Sequence, residues 1–405
     1  MNIILVSHSI HTFIYSEIKW ASKTFNRVVV LCPYDEQLDL KCKEFINVEY
    51  IVLPERKISY FLPKILKICS RDALYEIISC IKNKKISMIY LKWVATYLLL
   101  ARELIETMEN LKIVNDNEWI LLSLWFSASA YAVCKAKEKH PGVRIASLAH
   151  SYEVDSIKTP FLEYLFKAYC HKNLDYISFI SKEVMTNYIN NFAKPHNWRI
   201  DNCGIDYLGL DKPATELNKN IKDNVIRLVS CSHCVKVKRI DYIINALKEI
   251  DESYSIIWTH IGGGVEFESL SSEAQSIKKR NIVVNFLGNL DNSKVHSFFL
   301  NEPIDVFINV SESEGLPVTL MEAASYGIPL IATDVGGNRE IVNDNNGKLI
   351  SSNPTYSEIA DAIIQVGIES KNIPELRISA YNSYAQKFNA ADIRPEFYSK
   401  IRSLM

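Results

Sequence analysis

The chain contains 405 residues, of which 48% are hydrophobic and 23% are charged, and its formal net charge is −1. This length predicts two domains, and the composition is that of a globular protein with full hydrophobic cores. A net charge this close to zero argues against a nucleic-acid-binding protein, which would carry a clear basic excess.

The N-terminus reads as a first strand and not as a signal peptide, because no basic region precedes a long apolar core. The most apolar window, Ile120–Cys134, is shorter than a membrane span. Nine cysteines without regular spacing indicate buried, reduced thiols. We therefore expect a cytoplasmic protein. The segment Arg56–Lys67 mixes cations with apolar residues, which fits either a core-facing helix or a peripheral contact with the inner face of the plasma membrane.

Strands and helices alternate along the N-terminal half, which predicts a parallel, doubly wound sheet. The predicted strands are Ile3–Ser7, Arg27–Cys32, Val48–Leu53, Ser87–Lys92, Trp119–Leu124, Arg144–Ala149 and Asp175–Ser181. The predicted helices are Phe13–Phe25, Thr96–Glu109 and Ser127–Lys139, with a longer amphipathic segment at Tyr60–Ile81. His150 follows a strand at the edge where such sheets bind ligands, so it either contacts a ligand or caps a strand-end carbonyl.

The alternation stops in the polar stretch Asp206–Asp223, where we place a linker at residues 209–223. A second α/β unit follows, and the chain is predicted to be helical after Pro354. The predicted strands of this second unit are Val225–Cys231, Tyr254–Ile261, Ile282–Leu287, Ile304–Val310 and Leu330–Thr333.

Two carboxylates surround a predicted helix start in this second unit. Pro317 is placed at the first helical position, so the N–H groups of Val318 and Thr319 have no intrahelical partner and suit a phosphate. Glu314 precedes the helix and Glu322 lies within it. Carboxylates repel phosphate but accept hydrogen bonds from sugar hydroxyls. This combination predicts a site for a sugar nucleotide.

The spacing Glu314-x7-Glu322, with the continuation from Gly327 to Glu340, resembles the retaining glycosyltransferases of glycosyltransferase family 4. The resemblance implies that Glu314 faces the donor sugar and that Glu322 binds the nucleotide ribose. The segment His150-Ser151-Tyr152 is also similar to the family's histidine-glycine-tyrosine segment, with serine in place of glycine.

The resemblance covers nearly the whole chain and implies a GT-B architecture, in which two doubly wound Rossmann-like domains face a cleft. It implies an acceptor-binding domain at residues 1–208, a nucleotide-sugar-binding domain at 224–384, and C-terminal helices at 385–405 that pack back on the first domain.

Several further residues are assigned to the donor site by this resemblance. Family members use an Arg and a Lys five residues apart to grip the donor diphosphate; Lys238 matches the Lys, but His233 occupies the Arg position. Either Lys236 or Arg239 compensates for the missing guanidinium, or diphosphate binding is weaker. His8 stands where many family members carry glycines that contact the donor.

Metal and dinucleotide motifs are missing from the sequence. Phe267 breaks a dinucleotide fingerprint after Gly262, which counts against an NAD enzyme; Gly264 instead lets the backbone approach a nucleotide or makes a tight turn. No paired carboxylates are spaced for Mg²⁺, and Cys231 and Cys234 have no further zinc ligands at matching spacing. We therefore expect a metal-independent enzyme without a cofactor.

The sequence predicts a retaining hexosyltransferase that moves a sugar from a nucleotide sugar, with a UDP-sugar expected, to a glycan or polyprenyl-linked acceptor in bacterial O-antigen or capsule synthesis. Two alternatives stay open: a GT-B sugar-nucleotide epimerase and a non-catalytic sugar-nucleotide-binding protein. The predicted catalytic residues are Glu314, Lys238 and His150, and the predicted donor-binding residues are Glu322, His233, Pro317, Val318, Thr319, Gly264, Ser232 and His8.

Overall fold

A computed structural model describes residues 1–10, 13–54, 78, 88–111, 116–154, 166–211 and 216–405. The chain divides into two compact units. Unit 1 comprises Met1–Leu208 and Ala391–Met405, and unit 2 comprises Gly209–Ala390. No helix within the described ranges is long and apolar enough to cross a membrane.

Unit 1 is built on a seven-stranded sheet in the order β3-β2-β1-β4-β5-β6-β7, with all neighbouring strands parallel. The strands are β1 Asn2–Val6, β2 Arg27–Cys32, β3 Val48–Val52, β4 Trp119–Ser123, β5 Arg144–Ala149, β6 Tyr176–Phe179 and β7 Cys203–Ile205. The described helices of this unit are α1 Phe13–Thr24, α2 Glu36–Cys42, α3 Met88–Asn110, α4 Ala128–Lys139, α5 Ser151–Val154, α6 Lys167–Asn173 and α7 Lys182–Tyr188.

Unit 2 repeats this design with a six-stranded parallel sheet in the order β10-β9-β8-β11-β12-β13. The strands are β8 Val225–Cys231, β9 Ser255–Ile261, β10 Ile282–Phe286, β11 Val306–Asn309, β12 Leu330–Thr333 and β13 Gly347–Ile350. The helices are α8 Ile240–Glu249, α9 Phe267–Gln275, α10 Asn292–Asn301, α11 Val318–Ser325, α12 Asn338–Ile341, α13 Tyr356–Asn372 and α14 Pro374–Lys387. The last helix, α15 Ala390–Arg402, begins at the last residue of unit 2 and otherwise belongs to unit 1.

Each sheet has one point at which the strand order reverses. In unit 1 it lies between β1 and β4, and in unit 2 it lies between β8 and β11. Loops that leave the carboxyl ends of these two strands diverge to opposite faces of the sheet, which leaves a crevice where ligands bind in doubly wound folds. The predicted parallel, doubly wound sheets are therefore confirmed, and their topology marks one crevice in each unit.

The predicted strand Ser87–Lys92 is wrong over its described residues, because Met88 already belongs to the 23-residue helix α3. A short apolar run does not distinguish a strand from the first turn of a buried helix. The later residues show the helical spacing, since Val94, Leu98 and Ala101 are all buried. The predicted segment Tyr60–Ile81 and the basic stretch Arg56–Lys67 lie outside the described residues, apart from the helical Ile78.

A buried ion pair fastens the C-terminal helix α15 to unit 1. The Arg394 guanidinium donates to the Glu17 carboxylate of α1, and the Tyr398 hydroxyl donates to the same carboxylate at 2.7 Å. The Arg394 side chain is fully buried and that of Glu17 is 2% exposed. Such a pair fixes the position of α15, because separating the two groups would leave a charge in an apolar environment.

We expect Glu17→Leu to lower the free energy of unfolding of the protein by about 3–5 kcal/mol, because Arg394 would stay buried without its partner. Urea denaturation followed by circular dichroism measures this change. The double variant Glu17→Leu/Arg394→Met should recover part of the loss, whereas Glu396→Gln, at an exposed position of α15, should change stability by less than about 0.5 kcal/mol. A Glu17→Leu variant with the stability of the wild type would contradict a stabilising role for the buried pair of Glu17 and Arg394.

Candidate functional site

The start of α11 exposes backbone amides at the unit 2 crevice. Pro317 lies one position outside the helix, with φ −72° and ψ 111°, whereas the sequence placed it at the first helical position. The first N–H groups to bond back are those of Leu320 and Met321, which both donate to the Pro317 carbonyl. The amides of Val318 and Thr319 therefore precede the intrahelical ladder, at the positive end of the helix dipole.

An ion pair joins the two loops that border this crevice. Lys238, from the loop after β8, donates through Nζ to Glu314 Oε1 at 2.6 Å, and Asn309 Nδ2 donates to the same oxygen at 3.1 Å. The Glu314 side chain is 9% exposed. Burial raises the pKa of this carboxyl, but the charge of Lys238 and the hydrogen bonds it receives outweigh burial and hold the pKa below its usual value. Glu314 is therefore an ionised acceptor.

Two glycines fix the backbone of the Glu314 loop. Gly336 has φ +52°, and a Cβ there would lie 2.0 Å from the Glu314 carbonyl oxygen. Gly337 donates its N–H to the Gly315 carbonyl at 2.8 Å. Only glycine allows this close approach of the two strand-to-helix turns. The two strand-to-helix turns are therefore adjacent, which follows from the parallel pairing of β11 with β12.

Glu322 lies in the interior of α11 and faces α10. Asn292 Nδ2 donates to Glu322 Oε1 at 3.0 Å, and His296 Nε2 lies 3.8 Å from the same atom. Burial raises the pKa of Glu322 to about 7, although the Asn292 hydrogen bond opposes this shift. Burial also lowers the pKa of His296, so the imidazole is a neutral partner.

The loop after β8 packs against the glycine run that follows β9. Cys234 donates its N–H to the Gly263 carbonyl at 2.8 Å, and a Cβ on Gly264, whose φ is +149°, would lie 2.6 Å from the Cys234 carbonyl oxygen. The glycines therefore serve close packing of two loops. Ser232 is half-buried in the packed loop, and His233 is exposed.

Arg239 and Lys236, the two cations considered as replacements for the missing Arg, differ in their contacts. The Arg239 guanidinium donates to the Ser352 carbonyl at 2.9 Å and lies over the Tyr242 ring, whereas Lys236 is exposed. Arg239 is therefore held by groups other than Glu314, the acid that Lys238 contacts.

The two predicted histidines of unit 1 meet at the tryptophan that follows β4. The buried His150 ring lies 4.4 Å from the Trp125 ring, and its Nε2 is 3.2 Å from the Leu124 carbonyl oxygen. This contact is the carbonyl-capping geometry considered from the sequence. His8 lies 6.1 Å from Trp125, and its Nδ1 is 3.4 Å from the Ser127 and Ser129 hydroxyls.

Sequence reasoning missed the amides and the imidazole that hold the two acids. Asn309 ends β11 directly before the Glu314 loop, so its position at the strand's carboxyl end was a usable signal. Asn292 and His296 share a helical spacing, but they meet Glu322 only through the packing of α10 on α11, which no local pattern shows. Within the described ranges, no group of three or more His, Cys, Asp or Glu residues could hold a metal ion.

The comparison with protein families matches the part of the chain that forms most of unit 2. Residues 211–382 match the family model described as "Glycosyl transferases group 1". The O-antigen biosynthesis glycosyltransferase WbnH of Escherichia coli is 29% identical over 168 residues, which cover 41% of this chain and 44% of that protein. The UDP-N-acetylglucosamine–peptide N-acetylglucosaminyltransferase GtfA subunit of Streptococcus pneumoniae is 31% identical over 133 residues, 32% of this chain and 25% of its own length. The matches thus span less than half of these relatives.

Among solved structures, Anabaena HepE in complex with UDP matches with a TM-score of 0.67 at 15% identity, and the alignment covers 99% of each chain. Together with the two parallel sheets, this likeness shows that the chain has an α/β GT-B fold.

We expect Glu322→Gln to stabilise the unliganded protein at pH 8 but not at pH 5. The carboxyl ionises near 4.5 in the unfolded chain and near 7 when folded, so the folded state retains a proton that the unfolded state releases. Stability therefore falls as pH rises between these values, and removing the charge should regain up to about 3 kcal/mol at pH 8. Denaturant titration at both pH values measures this difference.

The exposed Glu312 provides a matched control, because Glu312→Gln removes the same charge from the same crevice without desolvation. Equal effects of the two substitutions, or an effect of Glu322→Gln that does not depend on pH, would contradict the burial of an ionisable Glu322.

Proposed function

We propose that the protein is a retaining glycosyltransferase that transfers a hexose from a UDP-sugar to a hydroxyl of a surface-polysaccharide acceptor. The observation that carries this proposal is the Lys238–Glu314 pair beside the free amides of α11, at the reversal point of the unit 2 sheet. This crevice also lies inside the segment that matches the glycosyltransferase family model. The names of the relatives, which include an O-antigen glycosyltransferase, support the acceptor class.

The crevice offers complementary partners to each part of a nucleotide sugar. The amides of Val318 and Thr319 would bind the diphosphate, as unpaired N–H groups at a helix start do. Lys238 would add a cation, since an ammonium has three donors and Glu314 receives one of them here. Glu314, being ionised, would accept hydrogen bonds from hydroxyls of the donor sugar, and Glu322 would accept them from the ribose. His233, Ser232 and Gly264 lie in the two loops that border this position.

The transfer requires no general base in the proposed mechanism. The bond between the anomeric carbon and the β-phosphate oxygen breaks while the acceptor oxygen bonds to the same face of that carbon. The acceptor proton passes to the departing phosphate oxygen. Lys238 and the start of α11 would stabilise the charge that develops on the diphosphate, so no metal ion is needed for this purpose.

We expect Lys238→Met to weaken UDP binding by roughly tenfold or more, because it removes a charged contact with phosphate. Glu314→Gln should keep UDP binding but lose turnover of the UDP-sugar, since an amide is a poorer acceptor for the sugar hydroxyls. Calorimetric titration with UDP and assay of UDP release measure the two effects. Lys278→Met, at an exposed lysine that follows α9, should change neither. UDP binding of wild-type strength in Lys238→Met would refute the diphosphate assignment.

We expect slow hydrolysis of UDP-α-glucose, or of another accepted UDP-hexose, to give the α-anomer first and to continue unchanged in EDTA. Proton NMR of the anomeric signals, recorded before mutarotation, reads the stereochemistry. A β-anomer would exclude retention, and loss of the activity in EDTA would exclude metal independence. Appearance of an epimerised nucleotide sugar would favour the epimerase, and the absence of any turnover would favour the binding protein.

A further inference from the structure

A cavity of about 520 Å³ lies in unit 1, apart from the Lys238–Glu314 crevice of unit 2. It opens at the reversal point of the sheet, between the loops that follow β1 and β4, and it is lined also by α3, α5 and α6. Its volume falls in the range of roughly 300–1,000 Å³ that is typical of small-molecule sites. The cavity therefore occupies in unit 1 the topological position that the Lys238–Glu314 crevice occupies in unit 2.

The cavity wall is largely apolar. Tyr97 and Leu100 come from α3, Trp125 and Phe126 follow β4, and Tyr152 is an aromatic residue at the opening with 52% of its surface exposed. A ligand with many hydroxyls would leave most of them without partners against such a wall, which is unfavourable. Hydrocarbon would instead gain the free energy of leaving water.

Two ionisable residues lie in the wall, and both are nearly buried. Glu153 and Lys167 are 4% and 3% exposed. Glu153 Oε2 accepts from the His150 amide at 3.0 Å, and Lys167 Nζ donates to the Phe126 carbonyl. Burial raises the pKa of Glu153 to about 7, against the opposing charge of Lys167. Both groups thus make contacts inside the protein, and the largely apolar wall distinguishes the cavity from the unit 2 crevice, where an ion pair lies near the start of a helix.

Three of the cavity's polar residues lie at the edge formed by the loops that follow β1 and β4. His8 and Ser9 follow β1, and the Ser127 hydroxyl lies 3.4 Å from His8 Nδ1. Hydroxyl and imidazole groups suit the hydroxyls of a sugar. A molecule with an apolar chain and a hydroxylated head would thus meet hydrocarbon and aromatic surface in the cavity and hydrogen-bonding groups at its edge.

We propose that this cavity binds the apolar chain of a lipid-linked acceptor, an alkyl or isoprenyl group, while the sugar attached to the chain lies at the His8 and Ser127 edge. The proposal rests on the proposed glycosyltransferase function and adds to it a site for the acceptor's chain. The acceptor is then recognised by its chain as well as by its sugar.

A series of n-alkyl β-glucosides tests the proposal, with methyl, butyl, hexyl and octyl glucoside as probes below their micelle-forming concentrations. We expect affinity for the whole protein to rise roughly threefold to fourfold per methylene until the cavity is filled, because each added group leaves water. Ligand-observed NMR measures the affinities. Affinity that does not depend on chain length would overturn the proposal and would favour a site that reads the sugar alone.

Two substitutions test whether the alkyl chain of the probe lies in the cavity. Leu100→Phe, on a half-buried part of the wall, should reduce the dependence on chain length by filling the cavity, and Ala128→Leu should do the same from α4. Leu40→Phe, at a leucine that is 60% exposed, is the matched control and should behave as wild type. An unchanged chain-length dependence in both cavity variants, with wild-type melting temperatures, would place the chain elsewhere and overturn the assignment.

UDP titration of the same samples separates this proposal from the function on which it rests. Cavity variants should bind UDP as the wild type does, because the UDP site is assigned to unit 2. Absence of UDP binding in every sample would refute the proposed function, whereas the alkyl-chain series would still decide whether the cavity takes hydrocarbon.

Discussion

The ion pair between Lys238 and Glu314 is the contact that determines how the unit 2 crevice is built. It connects the loops after β8 and β11, the two strands at which the sheet order reverses. Glu314 can remain ionised in a nearly buried position only because the ammonium and the Asn309 amide reach the same oxygen. The glycines at 336 and 337 admit the Glu314 loop at the required distance. A charged acceptor, a cation and a helix start are thereby fixed at one place before any ligand arrives.

The two units share one sheet topology but place different kinds of side chain at the point where the strand order reverses. Both sheets are parallel, and both reverse their strand order once. In unit 2 the loops at this point supply an ion pair and backbone amides, whereas in unit 1 they supply aromatic side chains around a largely apolar cavity. Sheet topology thus determines where a ligand can bind, and the loop sequences determine its class. A charged, hydroxylated donor and an amphipathic acceptor fit this division.

The sequence predicted the features that depend on local pattern. Apolar strands alternating with helices predicted both sheets, and the acids at 314 and 322 were identified from their position around a helix start. The predictions were wrong or incomplete where a short pattern is ambiguous, or where packing between distant segments determines a contact. The apolar run at Met88 belongs to a helix, because the periodicity of the following turns outweighs strand propensity. Neither the raised pKa of Glu322 nor its contact with Asn292 could be predicted, since both arise when α10 packs on α11. The contact of His150 with the Leu124 carbonyl joins the ends of two strands, and it corresponds to one of the two interpretations that the sequence left open.

A crystal structure of the protein with UDP would test the central claim most directly, because the claim concerns where a diphosphate binds. The account predicts phosphate oxygens within hydrogen-bonding distance of the Val318 and Thr319 amides and of Lys238 Nζ, with the ribose hydroxyls on Glu322. A UDP molecule bound anywhere else, or a diphosphate that leaves the Lys238–Glu314 pair without a phosphate contact, would contradict it.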